Sequence, residues 1–138
     1  MSATLVDSNI LIDLLDANSP WRDWSRTHLI AAGSTGDVVF NIVIASEVSY
    51  SFLSEQGFRS FFERTPLSFE DIPLECAIKA GWAHRAYRAR GGAREKVLPD
   101  FLIGAHALVR GHAILTRDPA GYRTYFPDVE IIAPDTHP

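Results

Sequence analysis

The stretch Thr4-Leu5-Val6-Asp7-Ser8-Asn9-Ile10-Leu11-Ile12-Asp13-Leu14-Leu15 changes its period partway along. Thr4-Leu5-Val6 is a short continuous apolar run, the pattern of a strand buried on both faces of a parallel sheet. Ile10, Leu11, Leu14 and Leu15 then repeat at helical spacing, with Ser8 or Asn9 available as the cap. A buried strand leading into a helix is half of a βαβ unit, and an acid, Asp7, stands at the junction.

The alternation continues outward. Ser19-Pro20 suits the start of a second helix, which carries Trp21, Trp24 and Leu29 to about Gly33. Turn residues Gly33 to Asp37 lead into Val38-Val39-Phe40, a second buried strand. Helical spacing resumes through Ile44, Val48 and Phe52, and a short helix with Phe58, Phe61 and Phe62 follows Gly57. Leu67-Ser68-Phe69 is a weaker strand. Pro73 to Arg90 reads as the longest helix, ended by Gly91-Gly92. A helix from about Asp100 to Gly111, a strand Ala113–Thr116, a helical turn over Gly121–Phe126 and a last strand at Val129–Ile132 complete the chain. The pattern predicts an α/β fold, one domain over residues 1–138, with a mainly parallel central sheet flanked by helices. It leaves the strand order open.

Composition agrees. The chain has 138 residues, 46% hydrophobic and 22% charged, enough for one substantial core. No apolar run approaches the ~20 residues of a membrane span. The start has neither the basic region nor the long apolar region of a secretory signal. Cys76 is the only cysteine, so a reducing cytoplasm is the expected location and no intrachain disulfide can form.

Net charge is −4 and the pI about 5.7, against a simple nucleic-acid binder. The distribution says more than the total. Arg85, Arg88, Arg90, Arg94 and Lys96 place five of the 13 basic residues between positions 85 and 96. That segment either handles a polyanion beside an acidic site or is the solvated face of a long helix.

Four acids stand at the ends of, or inside, apolar segments: Asp7, Glu47, Asp100 and Asp118. Each has an ordinary reading. Asp7-Ser8-Asn9 is a capping triplet, Asp100 suits a helix N-terminus, and Asp118-Pro119 a turn. Glu47, among Ile44 and Val48, is the least comfortable, because an unpaired buried carboxylate is costly. Asp7 and Asp118 fall at the carboxyl ends of two predicted strands, where open α/β sheets bind ligands. Carboxylates crowded together do not all stay ionised unaided. A hard divalent cation bound by oxygen accounts for all four at once and points to metal-dependent phosphodiester chemistry. Thr116, two residues before Asp118, shares its face and is a candidate to hold water or a phosphate, as is Asn9.

Other signals are weaker. His28, His84, His106, His112 and His137 lack the paired spacing of a zinc site and read as surface or core histidines. Ser46 and Ser49 have no nucleophile-elbow glycines, and no G-x-x-x-x-G-K-[ST] loop is present. Trp21, Trp24, Phe52, Phe58, Phe61 and Phe62 read as core, with an apolar groove for a partner as the alternative.

Leu5-Val6-Asp7-Ser8-Asn9-Ile10-Leu11-Ile12-Asp13, Ser46-Glu47-Val48, Pro99-Asp100-Phe101-Leu102-Ile103-Gly104-Ala105-His106-Ala107 and Leu115-Thr116-Arg117-Asp118, taken in order, resemble the motif series of PIN-domain ribonucleases, VapC-type toxins of toxin–antitoxin pairs above all. The resemblance implies acids meeting at the carboxyl edge of a parallel sheet, Mg²⁺ (or Mn²⁺) as cofactor and endonucleolytic cleavage of RNA. It also implies a homodimer and a cognate antitoxin that covers the groove. By motif, Asp7, Glu47, Asp100 and Asp118 match the acidic positions, the last being the most variable. Thr116 matches the hydroxyl position and Asn9 a polar one.

The expectation is metal-assisted RNA hydrolysis, with Asp7, Asp100, Asp118 and Glu47 at the metal and Arg85, Arg88, Arg90 and Arg94 on RNA phosphates. The rivals are a phospho-accepting receiver, for which no lysine follows Lys96, a D-x-D phosphatase, in which Asn9 stands where an Asp belongs, and a PIN fold kept only for binding.

Overall fold

The computed structural model describes residues 3–92 and 98–138. Among these residues five strands, β1 (Thr4–Val6), β2 (Val38–Phe40), β3 (Leu67–Phe69), β4 (Ala113–Leu115) and β5 (Ile131–Ile132), alternate with seven helices. These are α1 (Ser8–Leu15), α2 (Arg22–Thr35), α3 (Ile42–Val48), α4 (Glu55–Glu63), α5 (Cys76–Ala89), α6 (Leu98–Arg110) and α7 (Ala120–Tyr125). A 3-10 turn, Ser49–Ser51, follows α3.

The strand order that sequence left open is β3-β2-β1-β4-β5, every pair parallel. Leu5 is flanked by Val39 on one side and Ile114 on the other. The chain therefore builds outward from β1 through β2 to β3, then returns to lay β4 against the opposite edge of β1. That reversal opens a crevice beyond the carboxyl ends of β1 and β4, the usual ligand position in open α/β sheets. β2 and β4 are buried along their whole length, which explains their unbroken apolar sequence. Leu5, Val6, Ile10, Leu11, Ile44, Val48, Ile103, Ile114 and Leu115 are inaccessible and form the heart of the core.

Element boundaries move where backbone geometry outweighs composition. Ser19-Pro20 sits one turn before α2: the Ser19 side chain accepts from Trp21 N–H at 3.1 Å and its carbonyl from Arg22 N–H at 3.2 Å, and the helix begins at Arg22. The long helix expected from Pro73 starts at Cys76, after a turn in which Pro73 O accepts from Cys76 N–H. Its predicted end holds. Gly91 takes a φ of 87°, and the amides of Gly91 and Gly92 donate to Arg88 O and Tyr87 O at 3.1 and 2.9 Å, a Schellman closure. Phe52 falls beyond α3, and the last strand is confined to Ile131–Ile132.

The aromatic set resolves mostly as core. Phe61 is buried, and Trp24, Phe52, Phe58 and Phe62 pack against the core. Phe40 and Phe62 stack at 4.2 Å. Trp21 is 39% exposed, beneath the guanidinium of Arg117 at 5.6 Å. The large exposed apolar side chains are elsewhere, at Tyr50, Leu53, Leu74, Ile78 and Trp82 among others.

Candidate acidic metal site

Asp7 leaves β1 at its carboxyl end and is the N-cap of α1, its Oδ1 accepting from Ser8 N–H at 2.8 Å. Its amide donates to Leu115 O at 3.0 Å, which ties it to the end of β4. The capping explanation and the site explanation thus apply to the same residue. Its other oxygen, Oδ2, accepts from the Thr116 and Tyr122 hydroxyls, each at 2.9 Å, and more distantly from Asn9 Nδ2 at 3.5 Å. Asp7 is only 6% exposed. Burial pushes its carboxyl above the ordinary aspartate range; the hydrogen bonds from Thr116, Tyr122 and Ser8 pull it back, and the charge of Asp100 adds to the rise.

Glu47 reaches the same cluster through Ser8, whose hydroxyl donates to Oε1 at 2.8 Å. Its pKa is raised too, first by burial and then by the charges of Asp7 and Asp100, against the lowering effect of the Ser8 bond. Asp100 lies in the first turn of α6 and is partly buried. Asp118 follows β4 and is exposed, its amide donating to Thr116 Oγ1 at 3.0 Å. A cleft of about 100 Å³ is lined by Asp7, Asp100 and Asp118 together with Ser8, Asn9 and Tyr122. That is room for a cation and a few waters at roughly 30 Å³ each. Glu47 borders the cluster without lining this cleft.

Thr116 and Asn9 form the floor. Thr116 Oγ1 accepts from Asn9 Nδ2 at 3.1 Å, and Asn9 Oδ1 accepts from Arg117 N–H at 3.1 Å. Below them Asp13, 2% exposed, takes hydrogen bonds from Ser19 and Ser25 and a bidentate ion pair from Arg117. This buried pair clamps α1 and the segment before α2 to the end of β4.

Two residues of the site are not evident from the sequence pattern. Ser8 reads as a cap, yet its hydroxyl bridges to Glu47. Tyr122 gives no signal beyond a helical turn, yet it is 6% exposed and donates to Asp7. Burial, followed by the charge of Asp7 and its hydrogen bond to Asp7, drives the phenol pKa well above its usual value, so it is a permanent donor. The one available hint is spacing: Asp118-Pro119 starts a turn, and Tyr122 lies one helical turn further on.

Of the arginines expected on a polyanion, Arg85, Arg88 and Arg90 are exposed on or at the end of α5 and none lines the cleft. Arg90 lies 5.6 Å from the ring of Tyr125 on α7. Arg94 and Lys96 lie outside the described residues.

The acids fit a hard divalent cation: the lining offers oxygen ligands, among the described residues no basic side chain lines the cleft, and two carboxyls are held above their ordinary range, first by burial and then by neighbouring carboxylates.

A second cluster joins Glu70, His106 and His112, whose ligand atoms lie within 4.8 Å of one another. Both rings are buried, as expected of core histidines, and the loop after α6 carries His112 back toward His106 so that the two share one acid. Hydrogen bonding explains the cluster without a metal. Ala3 N–H donates to His112 Nδ1 at 3.3 Å. Asn41 commits its oxygen to Ile44 N–H, so its amide nitrogen faces His106 Nδ1 at 2.9 Å. Both rings therefore carry their proton on Nε2 and donate to Glu70 Oε1, at 2.8 and 2.7 Å. Burial opposes ionisation of Glu70, but these two bonds outweigh it and hold its pKa low; burial holds His106 low as well.

An acid-lined cleft at the switch point of an all-parallel sheet defines a class of α/β domains that take ligands beyond the carboxyl ends of their strands. Within it, the chain belongs to the PIN-domain family, which matches residues 4–127. PIN domains are nucleases that typically use a divalent metal. A receiver domain and a D-x-D phosphatase are thereby set aside. No curated protein matches the chain. Solved structures similar to it include VapBC2 from Rickettsia felis bound to a promoter DNA fragment, at TM-score 0.74 and 14% identity, over 95% of this chain and 98% of that one. DNA-bound VapBC from Salmonella typhimurium aligns at TM-score 0.70 and 20% identity, over 96% and 98%. A toxin–antitoxin complex from Klebsiella pneumoniae aligns at TM-score 0.69 and 21% identity, over 94% and 96%. Among the described residues no helix is long and apolar enough to cross a membrane.

Proposed function

We propose that this protein is a Mg²⁺-dependent endoribonuclease, a single PIN domain acting as the VapC-type toxin of a type II toxin–antitoxin pair in the cytoplasm. The observation that carries the reading is the meeting of Asp7, Asp100 and Asp118 in one small cleft at the switch point, with Glu47 tied in through Ser8.

Asp7, Asp100 and Asp118 would hold the cation, with Glu47 beside them. A bound Mg²⁺, for which Mn²⁺ can substitute, supplies Lewis acidity: it activates water and offsets charge on the scissile phosphate. The chain supplies the rest. Thr116, Asn9 and Ser8 fix the carboxylates; the Thr116 hydroxyl, buried and fully hydrogen-bonded, acts through Asp7 rather than on a phosphate or water. Arg85, Arg88, Arg90 and Arg94 would meet RNA phosphates outside the cleft, giving salt-sensitive affinity rather than sequence choice.

The partners proposed are a cognate antitoxin and a second copy of the chain. Supporting them, similar structures are toxin–antitoxin complexes. Leu74, Ile78 and Trp82, four residues apart along one side of α5 and the turn before it, are 88%, 51% and 59% exposed, a stripe suited to burial by another chain.

The test is cleavage of pooled RNA, with single-stranded DNA as the comparison, by purified antitoxin-free protein in Mg²⁺, Mn²⁺ or chelator. Metal-dependent cutting of RNA that disappears in an Asp7→Asn, Asp100→Asn double variant is expected. No cutting of any RNA pool by folded protein, in either metal, would refute the reading in favour of a PIN fold kept for binding.

A further inference from the structure

Tyr122 has no assigned part in the reading above, yet it makes one of the shortest contacts to its central carboxylate. We propose that Tyr122 is a positioning residue: with Thr116 it occupies Oδ2 of Asp7, leaving Oδ1 as the oxygen that takes a divalent cation. This rests on the metal site proposed in the preceding subsection and assigns the division of labour within it.

A carboxylate offers about four lone-pair directions, two on each oxygen. The hydroxyls of Thr116 and Tyr122, each at 2.9 Å, fill Oδ2. The Thr116 proton has nowhere else to go, because its oxygen already accepts from Asn9 Nδ2 at 3.1 Å and Asp118 N–H at 3.0 Å. Ser8 N–H takes one direction of Oδ1 at 2.8 Å. One direction is left, and it is on Oδ1.

Tyr122 is tied to a tightly packed neighbour, its carbonyl accepting from Phe126 N–H at 2.8 Å. Phe126, at the end of α7, packs against Gly104 so tightly that a Cβ there would lie 2.3 Å from the ring. Gly104 is on α6, the helix that carries Asp100 in its first turn. The Tyr122 hydroxyl therefore joins Asp7, at the end of β1, to the helix pair that positions the second carboxylate. A phenylalanine would fill the same space and leave the Asp7 carboxylate free to rotate. A tyrosine kept only to satisfy its own buried hydroxyl would not matter to a cation.

The experiment compares Mn²⁺ binding, by calorimetry or electron paramagnetic resonance, in the wild-type chain, Tyr122→Phe, Phe126→Leu and Asp7→Asn, with circular dichroism and melting curves for each. Tyr122→Phe is expected to keep its fold and bind Mn²⁺ about 10- to 100-fold more weakly, the usual cost of losing a group that orients a metal ligand. Phe126→Leu is expected to melt lower and to weaken Mn²⁺ binding less than Tyr122→Phe does, since it loosens the packing around the phenol but keeps the hydroxyl. Wild-type affinity in folded Tyr122→Phe would overturn the assignment while leaving the metal site standing. No Mn²⁺ binding by the wild type, or binding that survives in Asp7→Asn, would overturn the metal site and this inference with it. A second readout needs no variant. In protein labelled with ¹³C at tyrosine Cζ, the Tyr122 resonance is expected to move as Mg²⁺ saturates the site, and a stationary resonance would overturn the proposal even if Tyr122→Phe failed to fold.

Discussion

The acid cleft and the Glu70–His106–His112 cluster both bury ionisable groups in the same small domain, and they resolve the cost in opposite ways. Around Glu70 each donor meets an acceptor: two Nε2–H groups converge on one carboxylate, and its pKa is held down. Around Asp7 the donors are likewise neutral, hydroxyls and amides, but three further carboxylates stand near. Burial and like charge win, and the carboxyls of Asp7 and Glu47 are pushed up. The first cluster has its hydrogen bonds satisfied and belongs to the fold. The second gathers several carboxylates in one place and raises the pKa of two of them, a crowding that a cation would relieve, so the company a buried acid keeps separates the two clusters better than burial does.

The largest effect should come from emptying the acid cleft. Asp7→Asn removes a ligand for a cation worth several kcal/mol of transition-state stabilisation, so cleavage is expected to fall by ~10³-fold or more. The fold should survive. A folded carboxyl held above its unfolded value contributes stability at low pH that is lost as pH rises through the folded value. Asp7→Asn removes a group whose ionisation opposes folding, and the metal-free melting temperature of the variant at pH 7 should be no lower than wild type.

Breaking the Glu70 cluster should do the reverse. Glu70→Ala leaves two buried imidazole donors unanswered, at about 1–3 kcal/mol each, and should lower the melting temperature by several degrees or more while metal affinity stays unchanged. The same cluster sets an acid limit. His106 is depressed below its ordinary 6.5, so the unfolded chain takes up a proton first, and stability is lost as pH falls through about 6.5. A melting temperature flat from pH 7.5 to 5.5 would contradict this.

Gly104→Ala tests whether the acid site relies on packing around it. A methyl group driven against Phe126 should cost about 1–3 kcal/mol and weaken Mn²⁺ binding by displacing α7. The smallest effect belongs to the basic helix. Arg88→Ala should weaken RNA binding evenly across sequences and reduce the salt slope by about one, and sequence-dependent losses would contradict a phosphate contact.

Most of the fold was legible because strand and helix periods differ sharply in this chain. β1, β2 and β4 are continuous apolar triplets, and Gly91-Gly92 closes α5 as its chemistry requires. Strand order was not legible, since Val38–Phe40 and Ala113–Leu115 are equally apolar and nothing local tells which neighbours β1. The acids Asp7, Glu47, Asp100 and Asp118 could be found because a carboxylate in an apolar segment is anomalous. Tyr122 and Ser8 could not, because a tyrosine in a short helix and a serine at a cap are ordinary until three-dimensional proximity puts their hydroxyls on Asp7 and Glu47. The convergence of His106 and His112 was not legible for the same reason: Glu70, their shared partner, is remote in sequence.

The measurement that tests the account most directly is the melting temperature at pH 7 as Mg²⁺ is titrated into wild type, Asp7→Asn and Glu70→Ala. A cation at 100 times its dissociation constant stabilises by about 2.7 kcal/mol, several degrees for a chain of this size. The account predicts that rise in wild type and Glu70→Ala and none in Asp7→Asn. An equal rise in all three, or in none, would contradict it.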